Sequence, residues 1–309
     1  MDVAGFVHYG NAMVRVYSTA LSDGDVGKTV TLVSKLHNKT YSKVFTSTQD
    51  LVFEVDERDK YTITLTNTSN VVEFTTTIQV GFGTYTEIEV GMNKTTWQGI
   101  QNICNAGLEA SMLTIGDAID VTLSTAEVVT MELAAMNVDD GVTHQTIWCP
   151  ADCLTATRNM NSTNTNAGGW AACEMRTWLE NTYYSELPTD LQAVITARKI
   201  KSSTGSQSSA LQETSDKIFL PREHEIFGAT TYAAGSEAPY ASQWSIFATA
   251  AKRVKKLGKN GSAANWWELS PSVSASATFC GTGSDGTAYA NAASGVYGVV
   301  PCFQIIKTA

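Results

Sequence analysis

The sequence predicts a two-part α+β protein, with an all-β N-terminal region followed by a larger region of mixed helices and strands. Residues 1–92 alternate apolar and polar side chains with period two, and turn residues interrupt the pattern every ten positions or so. From residue 93 onward, helical spacing and capping residues enter among further strand-like stretches. Residues 270–297 contain no Lys, Arg, Glu, Gln, Met, Trp, His, Leu or Ile. Small side chains lose little entropy on ordering but build no core alone, so this stretch reads as a displayed surface carried on a framework made elsewhere.

Composition narrows the class of protein. A chain of 309 residues has room for about two domains, and 43% hydrophobic with 17% charged residues is ordinary for a globular protein. A net charge of -9 argues against nucleic acid as a partner, because phosphate binding needs clustered Lys and Arg. The one dense basic cluster, Lys252, Arg253, Lys255, Lys256 and Lys259, reads as a solvated turn. No charged-then-apolar leader opens the chain and no apolar run is long enough to cross a bilayer, so neither a visible export signal nor membrane insertion is expected. Six scattered cysteines and four histidines form no zinc spacing, and buried free thiols with no metal and no cofactor are the expectation.

Within residues 1–92, Leu51, Phe53 and Val55 share one strand face, as do Tyr61, Ile63 and Leu65, then Val72, Phe74, Ile78 and Val80. Turns are expected at Asp23-Gly24, His37-Asn38-Lys39, Glu57-Arg58-Asp59, Asn67 to Asn70 and Gly81-Phe82-Gly83. The pattern predicts a two-sheet antiparallel sandwich, immunoglobulin-like in outline, acting as a docking or spacer module. The junction is placed at 91–94. Thr95 is the predicted N-cap of a helix that buries Trp97, Ile100 and Ile103 and ends at Gly107. Strands are predicted at 118–123 and 128–136, with a turn at Asp139-Asp140-Gly141. Helices follow at 169–181, burying Trp170, Cys173, Trp178 and Leu179, and at 189–197. Residues 201–215 read as an exposed loop or a wide hairpin tip, and 217–221 as a short buried strand. That strand is expected to run on through Glu223, His224 and Glu225, whose alternating directions favour structural contacts over metal binding.

The landmarks Trp97, Ile115-Gly116-Asp117, Met160-Asn161, Ala167-Gly168-Gly169-Trp170, Arg176-Thr177-Trp178-Leu179, Leu187-Pro188, Lys217-Ile218-Phe219-Leu220-Pro221, Trp266-Trp267-Glu268-Leu269-Ser270-Pro271 and Gly298-Val299-Val300-Pro301 occur in a telling order. Together they resemble the variable proteins of diversity-generating retroelements, of the phage tropism-determinant type. The resemblance covers residues 95–309 and is most specific in its closing motifs. It implies a C-type-lectin-like domain of the formylglycine-generating-enzyme type over 93–309, with a variable region at about 264–298. Adenine mutagenesis cannot create Lys, Glu, Gln, Met or Trp from an Asn codon, and none of the five occurs in 270–297. Relatives often carry Arg at the position of Leu269 and a small residue at that of Cys302. The second departure leaves a Cys280–Cys302 bond open beside the free thiols expected in a reducing cytosol.

The resemblance implies a non-enzymatic receptor-binding protein of a phage virion, on the tail or capsid surface, with bacterial cytoplasm or cell surface as the alternative location. Its partners would be a host cell-surface protein or glycan and, through the N-terminal module, a virion or tail structural protein. A homo-oligomer is compatible with it, since several copies compensate for weak single-site affinity. The implied ligand surface comprises Asn265, Leu269, Ser272, Ser274, Ser276, Thr278, Gly281, Gly283, Thr287, Tyr289, Asn291, Ser294 and Tyr297, with Asp285-Gly286 a fixed turn and Trp266 and Trp267 as anchors. Tyr among Ser, Gly and Asn is also the vocabulary of antibody paratopes. Two alternatives stand beside this reading. One is a formylglycine-generating-type oxidase using Cys280 and Cys302, although no activating group is evident beside either. The other is a calcium-dependent sugar-binding lectin, although Asp285 is the only acid in 270–309.

Overall fold

The computed structural model describes residues 12–17, 26–47, 49–55, 58–70, 72–81, 83–89 and 94–308. The expected Asp23-Gly24 turn, Glu57, Phe82 and residues 91–93 of the junction lie outside them. The chain is a mixed α+β protein of two compact units, Met1–Leu108 and Glu109–Ala309.

In the first unit, strands β1 (Ala12–Tyr17), β2 (Thr29–Ser34), β3 (Thr40–Val44), β4 (Leu51–Val55), β5 (Lys60–Thr66), β6 (Val72–Gln79) and β7 (Tyr85–Glu89) form two sheets, ordered β4-β1-β7 and β3-β2-β5-β6. Alternation fixes which residues meet. Val14, Val16, Phe53 and Val55 of the first sheet and Val30, Leu32, Tyr61, Ile63 and Phe74 of the second join one apolar cluster. One pairing departs from the antiparallel expectation, because β1 runs parallel to β7. The two strands stand at opposite ends of the sheet-forming segment, and so long a connection leaves their relative direction free, which a two-residue hairpin would not. Helix α1 (Trp97–Ala106) is capped by Thr96, one residue later than expected, whose Oγ1 accepts from Gly99 N at 3.2 Å; Gly107 ends it in the left-handed conformation.

The second unit opens with α2 (Glu109–Met112) and β8 (Ala118–Thr122), β9 (Val128–Met136) and β10 (Gln145–Pro150). Helix α3 (Glu174–Trp178) passes through a π-turn at Leu179–Tyr183 into α4 (Tyr184–Glu186), and α5 (Thr189–Val194) follows. The predicted helix at 169–181 is broken at its start: Gly169 at φ 56 precedes a single 3-10 turn at Trp170–Ala172, and the extended backbone of Cys173 delays the α-helix to Glu174. Strands β11 (Arg198–Ser203) and β12 (Leu211–Asp216) make a hairpin whose strands take up most of the predicted loop, and Ser202 and Ser203 are buried.

The segment after Pro221 is a correction. Glu223, His224 and Glu225 lie on a helix, α6 (Glu223–Phe227), and not on a strand. The Glu225 carboxylate accepts from Arg222 N at 2.7 Å at the start, and Gly228 closes the end at φ 68. Pro shortly before a helix and Gly just after it is the asymmetry that marked these ends. The basic cluster is corrected too. It holds α7 (Ala250–Arg253) and β13 (Lys255–Lys256), the latter paired with β14 (Ala263–Ala264). Lys255 is buried, and its Nζ donates to Pro150 O at 2.5 Å and Ala151 O at 3.0 Å. Arg253 donates to Gly286 O and Phe247 O, so Lys252, Lys256 and Lys259 alone are exposed as expected.

The chain closes with β15 (Trp266–Pro271), β16 (Thr278–Thr282) and β17 (Ala288–Ala292), a 3-stranded antiparallel sheet, and β18 (Phe303–Ile306), which joins the 4-stranded sheet β18-β10-β9-β8. All six cysteines are free and buried. Cys302 Sγ donates to Val300 O at 3.3 Å and its backbone bridges Phe219, whereas Cys280 pairs with Ala290 across β16 and β17, so no strand pairing supports the bond left open between Cys280 and Cys302. Among the described residues, no helix is long and apolar enough to cross a membrane.

Candidate functional site

The predicted ligand residues divide into a buried floor and an exposed rim. Strand β15 is buried along its whole length, so Leu269 is a core residue and not a surface one. Its amide donates to Pro221 O at 3.0 Å, which ties β15 to the approach of α6. Ser272 is fully buried, and Gly281 and Gly283 are buried as well. These four positions correct the surface expectation. Small residues were read as displayed, whereas at the two glycines close neighbours leave no room for a side chain: a Cβ on Gly281 would stand 2.9 Å from the backbone Trp266 O, and one on Gly283 would stand 2.7 Å from the Asp285 carboxylate Oδ1.

The rim comprises Ser274, Ser276 and Thr287, which are exposed, and Asn265, Thr278, Tyr289, Asn291, Ser294 and Tyr297, which are half-buried. Its centre follows from strand register. Trp267, Gly281 and Tyr289 lie opposite one another across β15, β16 and β17, and paired residues of an antiparallel sheet project to the same side. Glycine in the middle leaves room for the Tyr289 ring, which packs edge to face with Tyr297 at 6.1 Å; Tyr297 in turn meets Trp267 at 5.0 Å. Trp267 is immobilised beneath by its Nε1, which donates to Arg158 O at 2.8 Å. The Tyr289 hydroxyl has no hydrogen-bond partner among the described residues.

Framework residues outside the predicted set hold the two flanks. Asn166 Nδ2 donates to Ser272 O at 3.0 Å, Ala275 O at 3.1 Å and Thr278 O at 2.7 Å, while its Oδ1 accepts from Ser206 N at 2.7 Å. Asn164 Oδ1 accepts from Ser294 N and Oγ at 3.1 and 2.5 Å. At the hairpin tip, Asp285 Oδ1 accepts from Thr287 N and Oγ1, and Gly286 adopts φ 80 with Ala250 O only 2.4 Å from where a Cβ would stand. Those hydroxyl and amide contacts hold the Asp285 carboxyl below its usual range.

Below the sheet lies a charged interior that sequence reasoning missed. Arg198 bridges Asp139 and Glu225, and Arg222 also meets Glu225 at 2.7 Å. Burial alone would raise the Glu225 carboxyl, but Arg198 and Arg222 hold it below the ordinary range. Glu237 accepts from Ser203 N at 2.8 Å and Ser270 Oγ at 2.6 Å, and burial pushes it up to about 7. Glu268 is fully buried with Oε1 accepting from Thr282 Oγ1 at 2.9 Å; burial and then Glu223 push it well above the carboxylate range. A signal existed, since Glu268 stands between the apolar Trp267 and Leu269.

Residues 140–307 match a family described as Domain of unknown function (DUF6273), and the chain belongs to that family. No curated protein matches the chain. Among solved structures, a leucine-rich repeat protein from Bacteroides thetaiotaomicron VPI-5482 is similar at 12% identity over 47% of this chain and 22% of its own, with a TM-score of 0.16, too distant a superposition to bear on the fold.

Proposed function

We propose that the protein is a ligand-binding display protein: a C-type-lectin-like second unit presents the rim around Tyr289 and Tyr297 to a host cell-surface protein or glycan, and an immunoglobulin-like first unit docks it to a virion. The observation that carries this reading is the contrast between a fully buried β15 and the polar and tyrosyl rim set above it on Asn164, Asn166 and Asp285. Rigid aromatic area beside small hydrogen-bonding groups suits recognition of polar surfaces at low entropic cost. The retroelement resemblance supports it further, because exposed Ser276 and half-buried Asn291 both offer side-chain surface to solvent.

The test uses full-length, fluorescently labelled protein on a panel of intact bacterial cells and immobilised glycans. Ser276→Tyr and Asn291→Ser are expected to change the pattern of bound targets at least tenfold while the melting temperature moves by no more than about 2 °C, as surface changes do. Absence of binding by the wild-type chain across the panel, or loss of folding in both variants, would overturn the reading.

A further inference from the structure

We propose that Glu223, Glu268 and Cys280 form a buried site for a divalent transition-metal ion of the zinc class. Three elements bring them together: Glu223 opens α6, Glu268 lies in the middle of β15, and Cys280 lies on the neighbouring strand β16. One ligand atom of each, two carboxylate oxygens and Sγ, lie within 4.8 Å of one another, and all three residues are fully buried. Tetrahedral zinc holds its ligands at ~2.0–2.3 Å, so they stand roughly 3.3–3.8 Å apart. Small side-chain rotations cover the difference.

An independent observation points to a ligand here. Glu268 Oε2 is buried and has no hydrogen-bond partner among the described residues. Its twin Oε1 is oriented by Thr282 Oγ1 at 2.9 Å, which leaves Oε2 as the free donor of a locked carboxylate. Glu223 is pre-set in the same way. Its Oε2 accepts from Thr231 N at 2.8 Å, Tyr232 N at 3.0 Å and Ala233 N at 2.8 Å, whereas Oε1 accepts only from Tyr232 N at 3.0 Å. The donor set selects the ion: a thiolate with two carboxylates is borderline-soft, and three protein ligands are too few for calcium, which takes six to eight oxygens. Loading replaces the Cys280 thiol proton, and any proton held between the two carboxylates, with the metal. The site does not depend on ligand binding at the rim.

Cobalt(II) is the probe. The full-length chain, stripped with chelator, is titrated with cobalt both natively and during refolding, so that burial of the site is no barrier. One equivalent is expected to bind with a near-ultraviolet thiolate-to-metal band, to be displaced by zinc, and to raise the melting temperature. Cys280→Ser should abolish the band and the isosteric Glu268→Gln should weaken binding at least tenfold, with far-ultraviolet circular dichroism reporting the fold of each. Should a variant fail to fold, the wild-type titration decides alone: the absence of both a thiolate band and a zinc-dependent melting shift overturns the site. Cobalt binding that is unchanged in folded Cys280→Ser and Glu268→Gln overturns it equally.

Discussion

Asn166 is predicted to be the side chain on which the 272–278 flank of the rim depends. It is fully buried, and its two amide protons are shared among the carbonyls of Ser272, Ala275 and Thr278, so one contact is bifurcated. Asn166→Ala removes all three and the acceptor for Ser206 N. Thr278 O keeps Ser272 N at 3.0 Å, and Ala275 O keeps the Thr278 amide at 3.4 Å. Of the groups left without these partners, Ser272 O is buried, at about 1–3 kcal/mol, whereas Ser206 is exposed and its N–H can turn to water, so the expected loss is about 2 kcal/mol. Asn166→Asp is the sharper probe. It preserves volume but turns an oxygen toward three carbonyl oxygens, and at neutral pH it should cost more than Asn166→Ala; on acidification, protonation restores a donor and the difference should shrink. Urea unfolding with an intrinsic tryptophan readout measures both, and limited proteolysis near 272–278 reports loosening of the flank. A loss below about 1 kcal/mol in Asn166→Ala, or a milder loss in Asn166→Asp at neutral pH, would refute the reasoning.

Glu237 gives a pH prediction. Its carboxyl is raised by burial from 4.5 to about 7, so between these values the folded chain binds more protons than the unfolded one, and stability falls as pH rises. The contribution is full below the unfolded value and is lost through pH 7, by about 3 kcal/mol in all. Glu237→Gln, which mimics the protonated form, should make the slope of unfolding free energy against pH shallower over that window, and an unchanged slope would remove Glu237 as its source. Gly281→Ala should destabilise by about 1–3 kcal/mol, because the new Cβ meets Trp266 O, a backbone atom, at 2.9 Å and the Tyr289 ring at 2.9 Å. A thermal melt at or above that of the wild type would show that the sheet yields there, since Gly→Ala without a clash stabilises.

Much of the architecture was legible because it is local. Alternation at Tyr61, Ile63 and Leu65 placed β5, and the strands expected at 118–123 and 128–136 appear as β8 and β9 within one residue. Gly107 ended α1 where a left-handed residue was needed. Local rules failed where two neighbours competed. Glu223 to Glu225 alternates no more clearly than it winds, and Arg222 with Gly228 decided for the helix. The candidate site divides along the same line. Ser274, Ser276 and Thr287 are exposed as their polarity suggested, whereas Ser272 and Gly281 share their chemistry yet are buried, since a small residue is equally suited to open solvent and to a tight contact.

What the sequence determined by itself was the mixed class of the fold and the special character of residues 266–301, because periodicity, caps and composition act over a few residues at a time. The tertiary structure decided which of those small residues are floor and which are rim. It also drew Lys255 inside and set Glu223, Glu268 and Cys280 side by side from three separate elements. Burial and charge proximity depend on what packs from far along the chain, so no spacing in the sequence could carry them.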